Sequence, residues 1–306
     1  MASIVSFGRY LPERRLGNHE LATTLGCEAA WIFQSCGIEE RRVARADESV
    51  TDMAVAAARD CLVRADRKID LLIVSSGSSE NRFPGPAAGI GLRLGLAGVP
   101  AIDLPMASAG SLFALALAAR HGNTLVIAAE KMSVPASEEP LDRNIAILFG
   151  DGAGVCLVSS DPREPGLEIV DSVLHSDGTW KDDIRLGWNG PIHMNGLSVI
   201  MQASRKIPAA IQALLLRNAV APESVSAFLM HQANQNLIDR VARALNVPPD
   251  RFYSNIRHCG NTSSASMLIA ASEWHETAQL KAGAYACFAA FGAGFHWGAV
   301  LARQKS

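Results

Sequence analysis

The chain has 306 residues, 49% of them hydrophobic, enough to bury a large core and too apolar for a disordered chain. Its 28 basic and 30 acidic residues leave a formal charge of −2 with no basic block, which argues against a nucleic-acid partner or an anionic membrane surface. Six scattered cysteines without a CxxC pair argue against a zinc site and a disulfide framework, and they read as reduced, mostly core residues.

The N-terminus, MASIVSFGRYLPERRLG, has no basic region followed by a long apolar run, so no secretory signal is read there and a cytoplasmic location is expected. Taken in order, the apolar patterning predicts a helix over Thr51–Ala65, then a strand over Ile69–Ser75. A strand, a sharp turn of small residues and a helix over Ser111–His121 follow within VPAIDLPMASAGSLFALALAAR, Val99–Arg120. Leu104–Ala119 is the longest uncharged stretch, but it falls short of the ~20 residues that span a bilayer, so no membrane segment is read. Next come a strand over Thr124–Ala129, a helix over Leu197–Asn218, a strand over Val225–Met230 and a helix over Asn234–Leu245. A helix over Thr262–Leu280 and a strand over Tyr285–Phe291 close the series.

This alternation indicates an α/β protein. GDGAG (Gly150–Gly154) interrupts the apolar run Ile145–Val158, and GAG (Gly292–Gly294) interrupts Tyr285–Leu301, like two versions of one hairpin. Each closes a half of similar size, residues 1–160 and 161–306, with DPREPG (Asp161–Gly166) as the polar joint. Duplicated α/β halves would place a shared site along their junction.

Three polar features could carry chemistry. Ser108 sits at a turn just before a helix, where free N–H groups and partial positive charge favour a developing anion. HQAN (His231–Asn234) follows the strand Val225–Met230, and HCGNTSSAS (His258–Ser266) enters the next helix. Singly, each has a structural explanation: a turn serine, a hydrogen-bonded core histidine, and Asn and Ser as helix caps. GDGAG lacks both the Lys-Ser/Thr ending of a P-loop and the following helix of a dinucleotide fingerprint, and no metal site is read.

Read together and in order, GRYLPERRLGNHEL, WIFQSCGIEERRVA, SSENRFPGPAAGIGLRLGL, AIDLPMASAGSLFAL, DRNIAILFGDGAGVCLV, HQANQNLI, HCGNTSSAS and FGAGFHWGAVLAR resemble the successive signatures of the β-ketoacyl-acyl-carrier-protein synthase III family, from about Gly8 to Arg303. The resemblance implies the thiolase fold: duplicated halves, each with a five-stranded sheet, in a five-layer αβαβα sandwich, assembled as a homodimer. It implies that Ser108 stands at the position of the nucleophilic cysteine, with His231 and Asn261 as its catalytic companions. The backbone N–H groups of Ser108 and Gly294 would form the oxyanion hole. Trp31 and Arg143 match the pair that sandwiches the adenine of coenzyme A, and Phe83 matches the residue that enters the partner subunit's acyl pocket. An acyl-CoA thioester is then the substrate, a carrier protein or small molecule the acceptor, fatty acid or polyketide synthesis the setting, and no further cofactor is expected.

The chain departs from that pattern at Ser108. A helix N-terminus stabilises an anion by ~0.3–2 kcal/mol, which helps a thiol with pKa ~8.5 but cannot ionise an alkanol. Ser108 therefore needs a general base, and His231 is the candidate the motifs supply. Ser35 and Asn236 also stand where the family often has arginines that hold phosphate or carrier groups. Three readings follow: an acyltransferase or condensing enzyme working through Ser108, a malonyl-thioester decarboxylase or direct transferase without a covalent intermediate, and a non-catalytic partner subunit of an active paralogue.

Overall fold

In the computed structural model, residues 2–65, 67–187 and 189–305 are described. The first half runs β1 (Ser3–Tyr10), α1 (Val50–Val63), β2 (Leu71–Ser75), α2 (Pro86–Arg93), β3 (Ala101–Leu104), α3 (Gly110–Ala118), β4 (Thr124–Lys131) and β5 (Asp151–Ser159). The second runs β6 (Leu167–Ser176), α4 (Gly196–Arg217), β7 (Val225–Met230), α5 (Gln235–Ala244), α6 (Ser266–Thr277), β8 (Tyr285–Gly292) and β9 (His296–Gln304). Strand order in the first half is β1-β5-β4-β2-β3, and in the second β6-β9-β8-β7. The pairings repeat as well: two antiparallel neighbours, then a parallel one. A short antiparallel contact of Ser3 and Ile4 with Glu168 and Leu167 joins the two sets into one hydrogen-bonded sheet of nine strands.

The second half thus has four strands where the resemblance implies five. The fifth place is taken by a single bridge of Phe252 to Phe228 on β7, whose rings stack 4.5 Å apart. Pro248 and Pro249 lead into Phe252 and have no N–H to give a ladder, so the segment turns as a 3-10 helix over Pro249–Arg251.

Helices cover both faces of each set of strands. Helix α1 starts at a capping box of Ser49 and Asp52, and its stripe Val50, Met53, Ala54, Ala57, Ala58 and Cys61 is buried on the first-half strands together with Ala87 and Ile90 of α2. Helices α4 and α5 cover the second-half strands on the far side. Between the two sets lie α3 and α6, apolar almost all round, packed on strands of both halves. The result is the five-layer αβαβα sandwich.

Only GAG forms a hairpin, between β8 and β9. GDGAG opens β5 instead, and Arg143–Ala146 before it is helical. Its glycines serve close approach: a Cβ on Gly154 would lie 2.6 Å from the backbone N of Ile269, so α6 rests directly on the strand. Among the described residues, no helix is long and apolar enough to cross a membrane.

Candidate functional site

The carboxyl ends of parallel strands from both halves converge, as expected for ligand sites in α/β sheets. From the first half, β3 ends at Leu104 and the chain turns sharply into α3. Ser108 holds this turn with φ +59°, a left-handed conformation that an L-residue keeps only when its surroundings fix it. Those surroundings are close. A Cβ on Gly110 would meet Ser75 Oγ at 1.9 Å, and one on Gly292 would meet Ser108 Cβ at 2.9 Å. The β8–β9 hairpin therefore abuts Ser108 through Gly292, while Gly294 lies against the His296 ring with φ +138°.

From the second half, β7 delivers His231, whose N–H extends the parallel ladder to Ala289 O (2.8 Å) and whose side chain is buried. Its Nδ1 lies 2.6 Å from Ser266 Oγ, at the first turn of α6, and that oxygen also accepts the Gln232 N–H at 3.0 Å. Burial lowers the imidazole to a pKa of about 3, against a smaller opposing hydrogen bond with the Ser263 backbone. The ring is neutral throughout the physiological range. A hydroxyl can donate to Nδ1 or accept from it, so Ser266 accommodates either tautomer.

Asn261 is pinned on both backbone sides. Its N–H donates to Leu148 O (2.9 Å), and its carbonyl accepts the Gly150 N–H (3.1 Å). Its side-chain oxygen accepts the Ser263 N–H at 2.9 Å, and its amide donates to Ala233 O at 3.4 Å.

Ser263, in the left-handed region at φ +48°, lies among the three. The Ser108 N–H donates to Ser263 Oγ at 3.0 Å, and the two hydroxyl oxygens are 3.4 Å apart. The same residue donates its N–H to Asn261, and its backbone faces the His231 ring. Among the described residues, no hydrogen bond joins Ser108 directly to His231. Ser263 and Ser266 lie inside HCGNTSSAS with no feature that singles either out; their clue is hydroxyl density after the asparagine, more than one helix cap needs.

Farther out, the Arg143 guanidinium lies over the Trp31 ring, 5.3 Å from its centroid. A nucleobase between them needs about 7 Å, two contact distances of ~3.5 Å, so the pair must part to admit one. Asn236 and Ser35 meet at the neighbouring helix Ala29–Cys36. There the Asn236 amide donates to the Gln34 and Ser35 carbonyls (both 3.2 Å), capping that helix instead of offering a cation. Phe83 is 86% exposed on the loop entering α2. A cavity of about 510 Å³, lined by Ser76, Gly77, Glu80, Pro105, Glu138 and Leu186 among others, opens beside the Ser108 turn, where Gly77 packs on Ala107. Among the described residues, no cluster of three or more His, Cys, Asp or Glu could hold a metal ion.

Two family descriptions match the sequence: 3-oxoacyl-[acyl-carrier-protein] synthase III over residues 102–178, and the C-terminal part of the same enzyme over residues 215–304. The β-ketoacyl-[acyl-carrier-protein] synthase III of Aquifex aeolicus is 34% identical over 309 residues, covering 98% of each chain. The chain belongs to the β-ketoacyl-[acyl-carrier-protein] synthase III family. The synthase III of Oleidesulfovibrio alaskensis is 33% identical over 325 residues, again covering 98% of each chain. Among solved structures, 3-oxoacyl-[acyl-carrier-protein] synthase III from Aquifex aeolicus superposes with a TM-score of 0.93 at 33% identity, covering 99% of this chain and 100% of that one. The priming β-ketosynthase of the R1128 polyketide biosynthetic pathway gives 0.90 at 29% identity, with 100% and 97% covered. The protein is an acyltransferase of the synthase III type, with thiolase-fold architecture.

Proposed function

We propose that this synthase III takes an acyl group from an acyl-CoA onto Ser108 and passes it to a malonyl unit on a carrier protein or to a small acceptor, as a cytoplasmic homodimer. One observation carries this reading: Ser263 hydrogen-bonds both Ser108 and Asn261, while Ser266, three residues on, holds the buried His231 ring. In the first step Ser108 Oγ bonds to the thioester carbonyl carbon while its proton passes to His231, in the tautomer whose Nδ1–H donates to Ser266. The tetrahedral oxyanion takes the Ser108 N–H, displacing the Ser263 hydroxyl, and the Gly294 N–H is its second donor. The C–S bond then breaks and the CoA thiolate leaves, while the His231 imidazolium keeps the serine proton on its other ring nitrogen and releases the Nδ1 proton through the Ser266 hydroxyl to solvent, which protonates the thiolate.

In the second step a malonyl thioester loses CO2, and the electron pair of the broken C–C bond becomes an enolate. Its oxygen accepts hydrogen bonds from the His231 ring, now in the other tautomer, and from the Asn261 amide. The enolate carbon bonds to the acyl carbon, the bond to Ser108 Oγ breaks, and the serine oxygen regains a proton from solvent. Ser266 supports this sequence because its hydroxyl can pair with Nδ1 in both tautomers. Trp31 and Arg143 would clasp the adenine of CoA, and Phe83 would enter the partner's acyl pocket.

The decarboxylase or direct-transferase reading has its own support, since Ser108 Oγ faces Ser263 and makes no bond to His231 among the described residues. Release of labelled CO2 from a malonyl carrier protein, with product analysis, separates the two. The covalent reading predicts a condensed product that disappears in Ser108→Ala; CO2 release without any condensed product, undiminished in Ser108→Ala, contradicts it. Loss of both activities in His231→Ala and Asn261→Ala, by ~10²–10³ each, fits either enzymatic reading and excludes the partner-subunit role.

A further inference from the structure

Glu130 is fully buried at the end of β4 and, among the described residues, pairs with no cation there; it accepts four hydrogen bonds. Oε1 accepts the Ser264 hydroxyl at 2.6 Å and the Ser264 N–H at 3.3 Å. Oε2 accepts the Ser78 hydroxyl at 2.6 Å and the Gly77 N–H at 3.0 Å. Burial raises the carboxyl above its ordinary range, and the four donors oppose that shift. One face of the carboxylate thus holds the residue next to Ser263. The other holds Gly77 and Ser78, which line the 510 Å³ cavity, with Gly77 packed on Ala107 beside Ser108.

We propose that Glu130 is the positioning residue of the acylation site: it clamps Ser264, and hence Ser263, to the cavity wall at Gly77–Ser78, fixing the Ser108 N–H and hydroxyl at the thioester carbonyl. It acts through Ser263 and touches no reacting atom. The proposal rests on the acyl-transfer reading above. The chemistry of the clamp demands a carboxylate. Serine hydroxyls can turn round, but backbone N–H groups only donate, and each carboxylate oxygen receives one. A glutamine at this place has one amide NH2, which in either orientation faces the N–H of Gly77 or of Ser264. That leaves a buried donor unpaired and displaces the turn. Misplacing a reacting group by about 1 Å can cost on the order of 100-fold in rate.

The test is the rate of acyl-adduct formation, read by intact-protein mass after rapid quenching, in wild type, Glu130→Gln and Ser264→Ala. Glu130→Gln is expected to acylate about 10–100-fold more slowly at saturating acyl-CoA, with the half-saturating acyl-CoA concentration unchanged. Ser264→Ala, which removes one hydroxyl from the clamp, is expected to slow in the same sense, and decides the matter if Glu130→Gln does not fold. Wild-type rates in the folded variants overturn the proposal. So does a loss of rate that tracks loss of CoA binding and thermal midpoint together, since that describes general loosening. A wild type that forms no adduct with any acyl-CoA removes the acyl-transfer reading itself and this proposal with it; a wild-type adduct with unimpaired variants removes the proposal alone.

Discussion

His231 couples the chemistry of the site to its stability. Its pKa falls from 6.5 in the unfolded chain to about 3 when buried, so the unfolded state binds more protons between those values. Stability from this group is therefore complete above pH 6.5 and is lost as pH falls toward 3, by roughly 5 kcal/mol at ~1.4 kcal/mol per unit. Urea titrations across that window should show His231→Gln losing stability less steeply than wild type; parallel curves would mean the ring is not held neutral. At this scale the sequence was legible where a residue type is unusual for its place. Ser108, His231 and Asn261 stand out as polar groups at strand and helix ends; Ser263 hydrogen-bonds the first and last, and Ser266 holds His231. Ser263 and Ser266 do not stand out themselves, because their roles depend on backbone geometry: a left-handed φ, and an N–H from Gln232 arriving from another segment. Glu130 left a fainter sign, a carboxylate closing the apolar strand TLVIAAEK, and its four donors come from residues 52 to 134 positions away.

The elements read from periodicity fall within a few residues of their observed bounds, the patterning predicts none at β1, β6 or α2, and the other misses have local causes. The expected helix Thr262–Leu280 begins four residues late, at Ser266, because Ser263–Ala265 forms a 3-10 turn that carries the site. GDGAG reads as a hairpin by composition, yet Gly152 and Gly154 let α6 lie on β5. A glycine required for close approach looks the same in sequence as one required for a turn. The two differ under substitution. Gly154→Ala places a methyl 2.6 Å from the Ile269 backbone N and should destabilise the fold by about 1–3 kcal/mol in a denaturant titration. A neutral result would mean that α6 does not rest on β5 as described. Since α6 begins at Ser266, the same substitution should also slow turnover by shifting the His231 support.

Across the whole molecule, the repeated strand order and the repeated placement of helices make the duplication plain, while in sequence only the two Gly-containing motifs hinted at it. The β3 end of the sheet bears on assembly. In the first half β3 is an end strand, with Ile102 half-exposed and two exposed apolar side chains nearby in sequence, Phe83 before α2 and Leu92 on it. An end strand with apolar neighbours is a template for pairing, and a second copy of this chain is the proposed occupant. Ile102→Lys should shift sedimentation from dimer toward monomer and lower turnover by removing the partner's Phe83; an unchanged dimer would place the interface elsewhere.

The central claim is that an oxygen nucleophile at residue 108 carries the acyl group. Intact-protein mass after mixing with a panel of acyl-CoAs tests it most directly. The account predicts a gain of one acyl mass per chain for at least one thioester, absent in Ser108→Ala and formed faster in Ser108→Cys, whose thiol ionises at this helix end. An unmodified wild-type chain with every acyl-CoA, or an adduct that persists in Ser108→Ala, would contradict it.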